Sequence, residues 1–140
     1  MIDNIFGKEG NTIEVCSGGM RSNDCFTVDI NPKADPALVD DGQELSKVAN
    51  TRFDRWRCDP PYNANTAEKM YRTRLPNTGR LLKAGARVCK VGSLMFLLLG
   101  PQNYQVCPPG LQRIGWIPMS IVPNNELRAL HIFYKYADTI

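Results

Sequence analysis

Asp59-Pro60-Pro61-Tyr62 brings together groups that suit one chemical task. Two consecutive prolines fix φ at both positions and end the strand before them, so the Asp59 carboxylate and the adjacent carbonyls are rigidly aimed. Tyr62 supplies a flat face on which a base stacks. An acceptor carboxylate, a fixed carbonyl and an aromatic platform together hold a planar amino group with its nitrogen presented for attack. Further upstream, Ser17-Gly18-Gly19 closes a short apolar run. A glycine pair there turns the backbone sharply and lets it approach a ligand, although the same tripeptide also makes plain turns. Asp29 ends the next apolar run, where an acid accepts ribose hydroxyls in dinucleotide-binding folds or else caps a turn. Asp40-Asp41-Gly42 offers an acceptor for an adenine amine, or an ordinary Asp-Gly turn.

Such residues act only if elements bring them to one place. Residues 12–16, 26–30, 37–40, 53–58 and 86–91 read as strands bounded by Gly, Pro, Asn and Asp. Helical character is expected over 63–75, with Asn65 or Thr66 as N-cap and Pro76 as the stop. A turn or two of helix is expected over 43–49, and another over 77–83, ending at Ala84-Gly85. Residues 94–99 fit either a buried strand or a helical turn. Residues 113–122 and 127–136 form two strands around Pro123-Asn124-Asn125-Glu126, a hairpin signal. Strands separated by helical segments and closed by a hairpin predict an α/β fold with a mostly parallel sheet. Ligands of such sheets sit beyond the carboxyl ends of the strands. All the residues singled out above fall at those ends.

The tetrapeptide resembles that of the S-adenosylmethionine-dependent amino-methyltransferases, which methylate exocyclic amines of adenine or cytosine in DNA, with relatives acting on guanine amines in RNA or on protein glutamine. Phe53-Asp54, four residues, then Asp59-Pro60-Pro61-Tyr62-Asn63 is similar to the fourth motif of that family. Glu14-Val15-Cys16-Ser17-Gly18-Gly19 resembles its cofactor-binding first motif, and Asp29-Ile30-Asn31-Pro32 its second-strand acid. Leu81-Leu82-Lys83-Ala84-Gly85 is similar to the step before the fifth strand, and the closing hairpin is alike. The resemblance implies a Rossmann-like class I methyltransferase fold, S-adenosyl-L-methionine as cofactor, and direct methyl transfer to a base amine, DNA foremost. It assigns Asp59, Pro60, Pro61 and Tyr62 to catalysis. Glu14, Cys16, Ser17, Gly18, Gly19, Asp29, Ile30, Asp41 and Gly42 fall to the cofactor, and Asn63, Asn65 and Arg72 to the substrate. No metal is implied. RNA, a protein side chain or a small molecule as acceptor, or a cofactor-binding subunit without catalysis, are the alternatives.

The chain also departs from the family. Nine residues separate Gly19 from Asp29, too few for an ordinary crossover helix, so the first helix should be one turn or absent. Met20 stands where a further glycine is common. Phe53, Arg55 and Arg57 alternate onto one face of a central strand, and Arg87 on the expected fifth strand joins them. That face is therefore expected to lie partly uncovered, meeting solvent, a partner subunit or nucleic acid.

Composition sets the bounds. The 140 residues, 43% hydrophobic and 22% charged, suffice for a single domain over 1–140. The longest apolar run, 94–99, is far below the roughly 20 residues that cross a bilayer, and the N-terminus lacks a secretory layout. Of five cysteines without a C-x-x-C spacing, most read as buried packing in a reducing compartment. A cytoplasmic protein is expected. Cys58 and the lone His131 are expected to pack rather than react. Charge is divided along the chain, −5 over residues 1–50 and +8 over 51–140. Seven bases and no acid lie from Lys69 to Lys90, either a solvated face or a polyanion-binding one. With no room for a separate target-recognition domain, sequence specificity calls for a homodimer, a recognition partner or a very small insert.

Overall fold

A computed structural model describes residues 2–7, 10–19, 24–61, 64–71, 74–100, 107–121 and 126–138, without the side chains of 3, 4, 64, 66, 70, 71 and 121. Seven strands form one sheet in the order β3-β2-β1-β4-β5-β7-β6. They are β1 (Thr12–Val15), β2 (Cys25–Asp29), β3 (Leu38–Val39), β4 (Phe53–Cys58), β5 (Cys89–Leu99), β6 (Leu111–Ile121) and β7 (Glu126–Lys135). Strands β1 to β5 pair in parallel, and β7 pairs antiparallel with both β5 and β6. The mostly parallel sheet with a closing hairpin is the expected one. The order runs outward in both directions from β1 and β4, so their carboxyl ends flank the switch point where α/β ligands bind.

One face of the sheet is covered by the 11-residue helix α3 (Thr78–Val88). Ile13, Trp56, Met95 and Phe133 lie in register across β1, β4, β5 and β7, all fully buried. Helix α3 settles onto them through Gly85. A Cβ at that position would lie 2.8 Å from Met95 Cε and from the Trp56 ring. The glycine thus permits close helix–sheet approach instead of ending the helix. This corrects two expectations at once: helix continues through Ala84-Gly85 to Val88, and the fifth strand starts at Cys89, absorbing residues 94–99. Asn77 accepts the Arg80 N–H at 3.0 Å as the N-cap of α3.

Helix α2 (Ala64–Tyr71) takes up much of the expected 63–75 segment, with Asn65 inside it and exposed. Residues 43–49 form turns rather than helix. Asp40 organises them by accepting the N–H groups of Asp41 and Lys47 and the Ser46 hydroxyl. Among the described residues between β1 and β2 there is no helix, in keeping with the short spacing.

The opposite face departs from expectation. It is capped by a five-residue helix, α1 (Ile2–Phe6), with no counterpart in the sequence reading. Phe6 packs against Phe96 with centroids 5.1 Å apart and the rings tilted by 51°, and Ile2 joins the same apolar cluster as Leu130 and Ile132. Arg55 is buried and donates to the Phe6 and Gly7 carbonyls at the C-terminus of α1, where a cation also complements the helix dipole. Arg57 pairs with Glu14 across the β1–β4 ladder at 2.6 Å. The arginines of β4 are therefore internal fasteners, not an uncovered surface. Arg87 does not join them. It lies in the last turn of α3 and donates to the Glu44, Leu45 and Val48 carbonyls, pinning the turns after β3.

Candidate functional site

The site forms where β1, β2, β3 and β4 end. Cys16, with φ +56°, leaves β1 in the left-handed region, an uncommon conformation for a residue with a Cβ. Gly18 follows with φ +55°. This double turn swings the 16–19 backbone over the sheet edge, and the Ser17 N–H donates to the Val28 carbonyl at 3.2 Å to fix it on β2. Asp29 completes the anchor. Its Oδ2 accepts the Gly18 N–H and its Oδ1 the Asn31 N–H, both at 2.8 Å. A Cβ added at Gly18 or Gly19 would meet nothing within 4 Å, so open space lies beside the bend.

A pocket of about 40 Å³, open to solvent, lies at the end of the sheet. Its wall comprises Cys16, Asp29, Ile30, Asp41, Gly42, Gln43, Pro61, Arg74, Pro76 and Leu81. Pro61, from the lip of β4, thus shares one cavity with the bend after β1 and the acid after β2. Gly42 has no room for a side chain, because a Cβ would run into Val15 Cγ1. Asp41 Oδ1 accepts the Gln43 N–H at 2.9 Å, an Asx-turn that commits this oxygen to the loop. Gln43 in turn accepts the Asn77 N–H at 2.8 Å, tying the loop to the start of α3.

Of the sequence-derived cofactor set, Cys16, Asp29, Ile30, Asp41 and Gly42 line this pocket. Gly18, Gly19 and Ser17 belong to the bend beside it. Glu14 is not at the pocket wall; it is held by Arg57. Asp29 is only 3% exposed, so its carboxylate serves the bend first and meets the cavity with an edge. Pro60 and Pro61 are buried at the lip, and Asp59 stands exposed beside them. Tyr62, Asn63 and Arg72 lie outside the described residues. Asn65 is solvent-facing on α2 and not at the pocket wall.

Sequence reasoning missed Gln43, Arg74, Pro76 and Leu81 on the pocket wall, and Arg128 beside Asp59. Arg128 Nη2 donates to Asp59 Oδ1 at 2.7 Å and to the Leu98 carbonyl at 3.1 Å. An arginine inside the apolar run Leu127–Ile132 was the available signal.

Beside the lip, the Cys58 thiol is unreactive at neutral pH. Burial pushes the Cys58 thiol well up, with the neighbouring Cys16 thiol adding to the shift. Burial likewise raises Cys89 to about 12. All five cysteines are free. Among the described residues no cluster of His, Cys, Asp and Glu is arranged to hold a metal ion, and no helix is long and apolar enough to cross a membrane.

No family model matches the sequence, and no curated protein is significantly similar to it. Solved structures with this fold are numerous. An S-adenosylmethionine-dependent methyltransferase from Methanosarcina mazei superposes with TM-score 0.69 at 13% identity, over 96% of both chains. TrmN from Thermus thermophilus gives 0.66 at 13%, covering 90% of this chain, which spans 44% of the TrmN chain. The 1,6-didemethyltoxoflavin-N1-methyltransferase of Burkholderia thailandensis, solved with its substrate and S-adenosylhomocysteine, gives 0.66 at 9%, over 97% of this chain and 75% of the other. The architecture is the Rossmann-like class I methyltransferase fold.

Proposed function

We propose that this chain is an S-adenosylmethionine-dependent methyltransferase whose acceptor is an exocyclic amine of a nucleic-acid base, DNA adenine or cytosine foremost. One observation carries the reading: Pro61 of the Asp-Pro-Pro lip and Cys16 of the glycine bend line a single pocket with Asp29 and Asp41. A donor held at the bend and an acceptor held at the lip are then neighbours. The likeness in fold to methyltransferases, one of them solved with S-adenosylhomocysteine bound, supports the same reading.

The residues present fit the cofactor. Ile30, Leu81 and Pro61 give the pocket apolar walls for a nucleoside, Asp29 and Asp41 place acceptors among them, and the space beside Gly18 and Gly19 is open. When bound, S-adenosylmethionine supplies a sulfonium methyl as electrophile. The chain's own contribution is orientation. The acceptor amine's lone pair is conjugated with its ring and is a poor nucleophile. Hydrogen bonds from that amine to the Asp59 carboxylate and the Pro60 carbonyl favour a tetrahedral nitrogen with its lone pair free to attack. Direct in-line transfer then depends on positioning and charge placement. A base in duplex DNA must first leave the stack, costing a few kcal/mol.

Tritiated methyl transfer measured side by side on DNA, RNA and protein tests the reading. Label is expected in DNA. Asp59→Ala should lower transfer by about 100-fold or more, in line with the loss of one transition-state hydrogen-bonding group, while cofactor binding by calorimetry stays within a few-fold. Full activity in Asp59→Ala would defeat this mechanism, and label confined to RNA or protein would move the acceptor class.

A further inference from the structure

We infer that Arg128 is a positioning residue for methyl transfer: it ties down one oxygen of Asp59 so that the other faces the acceptor amine. The inference rests on the reading of Asp59 as the amine's hydrogen-bond acceptor. Arg128 lies near the start of β7, one residue before the Ala129–Leu99 pair, and so at the carboxyl end of β5. From there its guanidinium reaches the carboxyl end of β4. A single nitrogen, Nη2, bridges Asp59 Oδ1 and the Leu98 carbonyl, fixing the lip of β4 to the strand beside it.

The environments of the two partners are unequal. The Arg128 side chain is 6% exposed, the Asp59 side chain 53%. Asp59 Oδ2 accepts no hydrogen bond among the described residues. A carboxylate at the mouth of a site would ordinarily rotate about its side-chain bonds and present either oxygen. A charge-assisted bond to a buried, immobile guanidinium removes that freedom. It leaves one acceptor oxygen for one amine hydrogen, while the Pro60 carbonyl remains for the second.

Stability alone does not account for an arginine here. Burying a guanidinium strips away hydration before its partners offset any of the loss, and apolar residues at such positions are often neutral or stabilising. The neighbours of Arg128 along the strand, Ala129, Leu130 and Ile132, are buried and apolar, so such a residue would fit the pattern. Replacing Arg128 by Met leaves the Asp59 carboxylate open to water, not buried.

The test uses the full chain, tritiated S-adenosylmethionine and a single-stranded oligodeoxynucleotide containing adenine and cytosine. Arg128→Met is expected to lower kcat by about tenfold or more, as misplacement of a reacting group by a fraction of an ångström does, with both KM values within about threefold. Arg128→Lys should recover part of the loss. In an Asp59→Asn background, Arg128→Met should change single-turnover rates by less than about twofold, because coupled residues are not additive. An Arg128 effect that persists undiminished in that background, or a KM effect alone, overturns the inference. A second arm needs no acceptor: in the 15N-labelled chain the Arg128 Nη signals should shift on Asp59→Asn. Signals that do not respond overturn the clamp whether or not any methyl is transferred. If the signals respond but the wild-type chain labels no nucleic acid, the methyl-transfer reading fails, and the positioning role fails with it.

Discussion

Single residues here act through what they exclude as much as through what they bind. His131 is 2% exposed on β7, and neither ring nitrogen has a hydrogen-bond partner among the described residues. Burial, with the Arg113 guanidinium of β6 second, holds its pKa below the ordinary imidazole value. The unfolded chain therefore takes up a proton at a pH where the folded chain does not, and stability falls as pH drops below about 6.5. Thermal melts from pH 7 down to about pH 5 should show a decline in Tm that His131→Leu makes shallower. Parallel curves for the two proteins would mean that the imidazole is protonated without penalty. The same logic of exclusion governs Cys58. Its raised pKa keeps the thiol protonated beside Asp59, so native-state alkylation should leave it unmodified while the half-buried Cys25 reacts.

At the scale of elements, Gly85 sets the depth at which α3 seats on the sheet. Alanine in a helix interior ordinarily gains about 1 kcal/mol over glycine. At Gly85 the added methyl meets the Trp56 ring and Met95 Cε at 2.8 Å, and overpacking of a core costs about 1–3 kcal/mol. The ring is fully buried and fixed, so the clash outweighs the propensity. Gly85→Ala should lower stability by about 1 kcal/mol in urea unfolding; a gain would show that Met95 swings clear and that Trp56 yields. This glycine also explains where the sequence was hard to read. The 53–58 strand was legible residue for residue, because Phe53, Trp56 and Cys58 sit between clear turn signals. Helix α3 was cut short because Ala84-Gly85 has the composition of a break, and only the three-dimensional neighbour shows it to be a seat. Helix α1 left no trace because five residues carry too little periodicity to count. The site divides the same way. The bend, the acid of β2 and the lip were visible as local motifs. Gln43, Arg74, Pro76 and Leu81 come from loops and a helix face with no motif of their own, and Arg128 meets Asp59 across 69 positions of chain.

At the scale of the whole molecule, the run of bases that could be a solvated face or a polyanion-binding one is partly spent on the fold. Of the bases from Lys69 to Lys90, Arg80 pairs with Glu44, Lys90 with Asp54 at 2.7 Å, and Arg87 is engaged by loop carbonyls. Lys90 and the Asn11 N–H together hold the Asp54 carboxyl below the usual range, so this tie weakens only on acidification through that lowered value. Lys69, Arg74 and Lys83 remain exposed, with no partner among the described residues. Each phosphate neutralised on duplex DNA contributes about −0.9 to the slope of log K against log salt. Replacing Lys69, Arg74 and Lys83 together by alanine should therefore make the slope for duplex DNA shallower by at most about 3, measured by fluorescence anisotropy over a salt series. Arg80→Ala or Lys90→Ala should lower stability and leave the slope nearly unchanged. If those two steepen or flatten it as much as Lys83→Ala does, the ion pairs of the fold open on binding and the whole block faces the nucleic acid.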